Sequence, residues 1–148
     1  MNRNDLRTVL LVEDNQADAE MTIDALREAN LLNPVVHVED GVEALDYLEC
    51  RGPLQDRRDG LPTVVLLDIK MPRMDGLEVL RHMRQSPQLK RLPVVMLSSS
   101  REESDLITSW DLGVNAYVVK PVDVRQFFEA VRRIGQFWAV LNQAPDND

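Results

Sequence analysis

LLVEDNQ, residues 10–16, carries the feature that decides the fold. An apolar run over residues 9–12 stops abruptly at two acids, Glu13 and Asp14. Adjacent carboxylates repel each other, so a strand that ends on them needs something for them to hold. The run is short and apolar at every position, the pattern of a strand buried on both faces. TVVLL (63–67), PVVML (93–97) and AYVV (116–119) repeat that pattern. VVHVE (35–39) is half polar, which suits an edge strand.

Helical patterns separate these runs. Ala17, Met21, Ala25 and Ala29 recur every four residues, whereas Val42, Leu45 and Leu48, and then Leu77, Leu80 and Met83, recur every three. Leu106, Ile107 and Trp110 mark a shorter helix, closed by Gly113 with Asn115 behind it. Val124, Phe127, Phe128, Val131, Ile134, Trp138 and Leu141 mark a long last helix. Strand and helix alternate five times, which predicts a doubly wound α/β sheet with right-handed crossovers. The stretch CRGPLQDRRDGLPT (50–63) is a polar loop, longer than a minimal helix-to-strand link.

Composition bounds the function. A chain of 148 residues favours a single domain, expected over residues 5–142, with 143–148 a frayed tail. A hydrophobic content of 44% is enough for a true core. A formal net charge of −8 argues against nucleic acid, whose phosphates call for a basic face. No apolar stretch approaches the roughly 20 residues of a membrane span, and MNRNDLRT lacks a signal-peptide core. The single cysteine, Cys50, reads as a helix-packing residue in a reduced, cytoplasmic protein.

In an open α/β sheet, ligands bind outside the carboxyl ends of the strands. The residues that follow the apolar runs are Glu13 and Asp14, Asp68 in LLDIKMPRMDG, Ser98 in MLSSS and Lys120 in VVKP. Taken singly, Asp14 and Ser98 can cap helices, Asp68 can begin a turn and Lys120 can be an ordinary exposed lysine. Capping alone does not account for three carboxylates and an ammonium arriving at one rim. Three such acids raise each other's pKa unless a cation sits among them, and oxygen ligands of this kind suit Mg²⁺. A metal and a lysine around one aspartate suit phosphoryl transfer, with the aspartate as nucleophile. His37 and His82 fall on the predicted edge strand and a helix, away from this rim.

These motifs, the acidic pair Glu13-Asp14, LLDIKMPRMDG, VVMLSS and YVVKP, resemble the receiver domain of two-component response regulators. The resemblance covers nearly the whole chain and implies a CheY-like, five-stranded flavodoxin-like fold with strand order 2-1-3-4-5. It implies Asp68 as phosphoacceptor, with Mg²⁺ (Mn²⁺ able to substitute) on Asp14, Asp68 and the backbone carbonyl of Lys70, and with Glu13 acting through water. It implies that Ser98, Ser99 and Lys120 bind the phosphoryl group and that Ser98 and Tyr117 form the switch. Pro72, Gly76 and Pro121 would shape the surrounding loops, the Lys120-Pro121 bond often being cis in this family. The first acid is Glu where Asp is frequent, and the switch residue is Ser where Thr is frequent. Lys70 and Ser100, flanking the site, would tune loss of the phosphate.

No output domain is expected after the last helix, and output is expected to pass through another protein or a second copy. The polar loop after Cys50 and the FWAVL stretch resemble stand-alone regulators that partner phytochrome-type sensor histidine kinases. By the same resemblance the kinase would touch residues 16–21 and the loop after Lys120. Phe137 and Val140 fall off the core-facing stripe of the last helix, which predicts a homodimer through the fourth helix, fifth strand and fifth helix. Three other readings fit less of the pattern. A Mg²⁺-dependent aspartyl phosphatase would want an acid where Lys70 stands. A flavin or nucleotide module would not place two acids in its phosphate loop. A degenerate receiver, binding partners without phosphate, would not keep the acid, hydroxyl and lysine set.

Overall fold

The computed structural model describes residues 7–29, 31, 33–57, 60–99, 101–110 and 113–133. Its strands are β1 (Val9–Val12), β2 (Val35–Val38), β3 (Val64–Asp68), β4 (Val94–Ser98) and β5 (Ala116–Val119). Helices α1 (Gln16–Glu28), α2 (Gly41–Glu49), α3 (Gly76–Gln85), α4 (Arg101–Trp110) and α5 (Val124–Arg133) alternate with them. The strands form one parallel sheet in the order β2-β1-β3-β4-β5.

Side chains alternate across this sheet and build a core on each face. Val9, Leu11, Leu66, Val95 and Leu97 pack with Ala25 and Leu26 of α1 and Phe127 of α5. Leu10, Val12, Val65, Leu67 and Met96 pack on the other face with Leu45 of α2, Leu80 of α3 and Ile107 of α4. β1, β3 and β4 are buried at every position because helices cover both their faces. The half-polar strand is the edge strand β2, as its composition predicts.

Two details depart from the sequence reading. AYVV is not buried on both faces: β5 is the other edge, and Tyr117 and Val119 are only half-buried. Asp68 and Ser98 do not follow their strands but end them, because their registers still pair, Asp68 with Leu97 and Ser98 with Val119. The described part of the polar loop after α2 packs back on that helix. Cys50 closes the helix in the left-handed region at φ 52°, and a 3-10 turn follows at Gly52–Leu54. Arg57 lies over the buried Tyr47 ring, 3.7 Å from its centroid, and donates to the Tyr47 carbonyl and to that of Gly60. Phe137, Val140, Trp138 and the tail lie outside the described residues, as do the side chains of Phe128 and Trp110.

Arg84, near the end of α3, ties two loops together at the amino ends of the strands. Its guanidinium donates to the carbonyls of Lys90 (3.1 Å), Leu92 (2.9 Å) and Gly113 (2.6 Å) and to Asn115 Oδ1 (3.2 Å). Asn115 Oδ1 in turn accepts from the Val94 amide at the start of β4. Gly113, at φ +75°, passes so near that a Cβ there would lie 2.9 Å from Arg84 Nε. Hydrogen bonds from a charged donor contribute about 1.5–3 kcal/mol together with their geometry. Arg84→Met is therefore expected to lower unfolding stability by roughly 1–3 kcal/mol, read by urea denaturation.

Candidate functional site

The carboxyl ends of β1, β3, β4 and β5 bring the predicted residues to one rim. Asp14 does not cap α1; Asn15 does, its side chain accepting from the Asp18 amide at 2.9 Å. That leaves the exposed Asp14 beside the buried Glu13 and Asp68, and one carboxylate oxygen from each of the three lies within 4.8 Å of the others. Glu13 is fully buried, and its Oε2 accepts from the Asn15 amide at 3.2 Å.

Lys120 holds the centre. Its Nζ lies 2.9 Å from Asp18 Oδ2, 3.1 Å from Glu13 Oε1 and 3.3 Å from Asp68 Oδ1. Burial works against its charge, but Asp18, Asp68 and Glu13 outweigh burial and hold the ammonium protonated above the usual lysine range. Asp68 shows the opposite imbalance. Burial, then its hydrogen bond to Glu13 and the Glu13 charge, push its carboxyl up to about 7, against the pull of Lys120. One ammonium thus falls short of balancing the acids around it. The oxygen donors and the missing positive charge fit a divalent cation of the Mg²⁺ or Mn²⁺ kind.

The loop after Asp68 is held on its far side. The Gly76 amide donates to the Ile69 carbonyl at 2.7 Å, and a Cβ on Gly76 would stand 2.1 Å from the Asp68 carbonyl oxygen. Only glycine allows so close an approach. Between them the Met74 amide donates to the Pro72 carbonyl at 2.7 Å, and Arg73 sits at φ 66°. Its Nε and Nη2 donate to Asp40 Oδ2 at 2.9 and 2.7 Å, and Asp40 caps α2. Asp75 and Glu78 form a capping box that starts α3.

Ser98 is buried and Ser99 exposed. Both hydroxyls donate to Glu103 in the first turn of α4, at 3.3 Å for Ser98 and 3.1 Å for Ser99. Lys70 sends its ammonium to the same carboxylate at 3.1 Å. Tyr117 lines a cleft of about 610 Å³ with Ser104, Asp105, Val119 and Gln126. The Lys120-Pro121 bond is cis, and the Lys120 amide donates to the Ser98 carbonyl at 2.7 Å.

Several neighbours escaped the sequence reading. His37 is not away from the rim: its Nε2 donates to the Glu13 carbonyl at 2.7 Å, because β2 pairs with β1 in register. Asp18 lies in the first turn of α1 rather than at a strand end, so reading the residue after each apolar run passes over it. Glu103 and the Arg73–Asp40 pair leave no spacing signal, because loops intervene.

A profile described as the response regulator receiver domain matches residues 9–132. The chain belongs to the response regulator receiver family. Receiver proteins are generally signalling proteins rather than enzymes, and phosphorylation and divalent-cation binding are general among them. The receiver is 36% identical over 135 residues to the response regulator Rcp1 of Synechocystis sp., covering 91% of this chain and 90% of that one. The Mn²⁺-bound form of Rcp1 superposes with a TM-score of 0.72 at 34% identity, covering 94% of this chain and 99% of that one. The bacteriophytochrome response regulator AtBRR gives a TM-score of 0.86 at 56% identity, over 93% and 99% of the two chains. The phosphorylated cyanobacterial phytochrome response regulator RcpA gives 0.74 at 39% identity, over 95% and 99%. The family's fold, read from the motifs, and the resemblance to phytochrome-associated regulators, read from the loop after Cys50 and the FWAVL stretch, both hold.

A proton held by Asp68 up to about pH 7 has a thermodynamic consequence. Between about pH 4 and 7 the folded chain keeps a proton that the unfolded chain has lost, so stability falls as pH rises through that window. In metal-free buffer Asp68→Asn is expected to flatten this slope. Above pH 7 the variant should exceed wild type by on the order of 1–3 kcal/mol in thermal melts. Millimolar Mg²⁺ should raise the melting temperature of wild type and narrow the gap.

Proposed function

We propose that this receiver is a cytoplasmic phosphorylation switch in which Asp68 accepts a phosphoryl group from a sensor histidine kinase. The observation that carries this reading is the meeting of Glu13, Asp14, Asp68 and Lys120 around one buried carboxylate at the strand ends. The phosphorylated RcpA and Mn²⁺-bound Rcp1 structures support it by likeness. Asp14, Asp68 and the backbone carbonyl of Lys70 would hold Mg²⁺, or Mn²⁺ in its place, with Glu13 acting through water. Such a cation supplies positive charge to the carboxylates and to the transferring oxygens.

An ionised Asp68 oxygen attacks the phosphorus of a phosphohistidine. The O–P bond forms as the P–N bond breaks, and the imidazole nitrogen leaves with the electron pair. Lys120 offers its ammonium to the phosphoryl oxygens, as it already does to Asp68. Ser98 and Ser99, at the neighbouring strand end, offer hydroxyl or amide hydrogens. Tyr117 then follows Ser98 on the same face of the sheet, where Met96 and Tyr117 pair in register. The cleft beside Tyr117 leaves its ring room to move. Pro72, Gly76 and cis Pro121 fix the loops between which this happens.

Likeness to AtBRR, RcpA and Rcp1 supports a phytochrome-type kinase as the phosphodonor. The α4, β5 and α5 surface would carry the signal, either to another protein or to a second copy in a homodimer. A phosphate-independent binding module is the reading to beat. Incubation with Mg²⁺ and acetyl phosphate is expected to add about 80 Da, one phosphoryl group, to wild type and nothing to Asp68→Asn by mass spectrometry. No gain in wild type would leave the binding module as the better reading. Sedimentation should show a dimer with or without phosphate; a monomer at high concentration in both states would remove the homodimer.

A further inference from the structure

Glu103 gathers an unusual set of donors on one carboxylate. Ser98 Oγ donates to its Oε2 at 3.3 Å, the Ser99 amide donates to the same oxygen at 2.9 Å, and Ser99 Oγ lies 3.1 Å from both oxygens. Lys70 Nζ adds a charge at 3.1 Å from Oε1. These donors come from the two segments that flank Asp68: the end of β4 and the loop after β3. A hydroxyl, an amide and an ammonium converging on an oxyanion is also the set that a phosphoryl group on Asp68 would require.

We propose, resting on Asp68 as phosphoacceptor, that Glu103 is a positioning residue for phosphoryl uptake, holding the Ser98 hydroxyl on its own carboxylate until transfer. The hydroxyl carries a single proton, so it cannot donate to Glu103 and to a phosphoryl oxygen at once. Lys70 is a weaker constraint. Its side chain is 79% exposed, where ion pairs contribute little, and its three protons can serve two anions together. Ser98 is fully buried, where a charge-assisted hydrogen bond counts for more. Glu103 is therefore poised against transfer chiefly through Ser98. Its release moves the start of α4, so the same bond ties the chemistry at Asp68 to the helix that borders the Tyr117 cleft.

The test is the apparent rate constant of phosphorylation by acetyl phosphate at saturating Mg²⁺, followed by mass. Glu103→Gln keeps the shape and loses the charge, and is expected to raise the rate constant about three- to tenfold. Glu103→Asp keeps the charge on a shorter arm and should fall between the two; it also carries the test if the glutamine variant is unstable. In a Ser98→Ala background the gain from Glu103→Gln should shrink below about twofold, because the charge-assisted bond it weakens is already absent. A merely structural role would give the same effect in both backgrounds, and that result would overturn the assignment. So would an unchanged or slower rate in the single variants while wild type gains its phosphoryl group. A wild type that gains none would overturn the reading of Asp68, and the role of Glu103 with it.

Discussion

Everything at the rim depends on one ammonium. Lys120 Nζ sits within 3.3 Å of oxygens from Glu13, Asp18 and Asp68, which come from the ends of β1, the first turn of α1 and the end of β3. Without it Glu13 and Asp68 would be buried side by side with no ammonium between them, an arrangement that costs far more than any one hydrogen bond returns. With it they are held together, but burial first and then Glu13 still disfavour the charge on Asp68. A group in that state responds strongly to the arrival of charge. The parallel sheet makes the arrangement possible, since only a parallel sheet delivers four strand ends to the same edge.

The fold was legible because burial on both faces writes itself as unbroken apolar runs. β1, β3 and β4 show this directly, and the polar letters of VVHV marked β2 as an edge. AYVV misled for a physical reason. Its side chains are apolar on both faces, yet β5 is an edge strand, and Tyr117 and Val119 border a cleft rather than a core. An edge strand that faces a cleft and a central strand under helices can carry the same letters.

The site was legible wherever a side chain follows a strand, since strand order alone brings those residues together. It was not legible where contacts cross between loops. Arg73 reaches the Asp40 cap through a left-handed backbone turn that no spacing rule announces. Glu103 meets Ser98 only because α4 starts close to the end of β4. His37 was read as remote from its position in the chain, but parallel pairing of β2 with β1 set it against the Glu13 carbonyl. Sequence position predicts which residues reach a rim, and three-dimensional crossings decide which of them touch.

Gly76 gives the site a mechanical asymmetry. On the α3 side, backbone lies directly against backbone, with the Gly76 amide bonded to Ile69 and no space for even one carbon beside the Asp68 carbonyl. Close-packed atoms are nearly incompressible, so that side acts as an anvil. On the β4 and β5 side the neighbours are hydroxyls, a carboxylate and an open cleft, all of which can yield. A load placed on the Asp68 side chain therefore has one soft direction, toward α4 and β5. A residue with no side chain thus sets the direction in which the domain deforms.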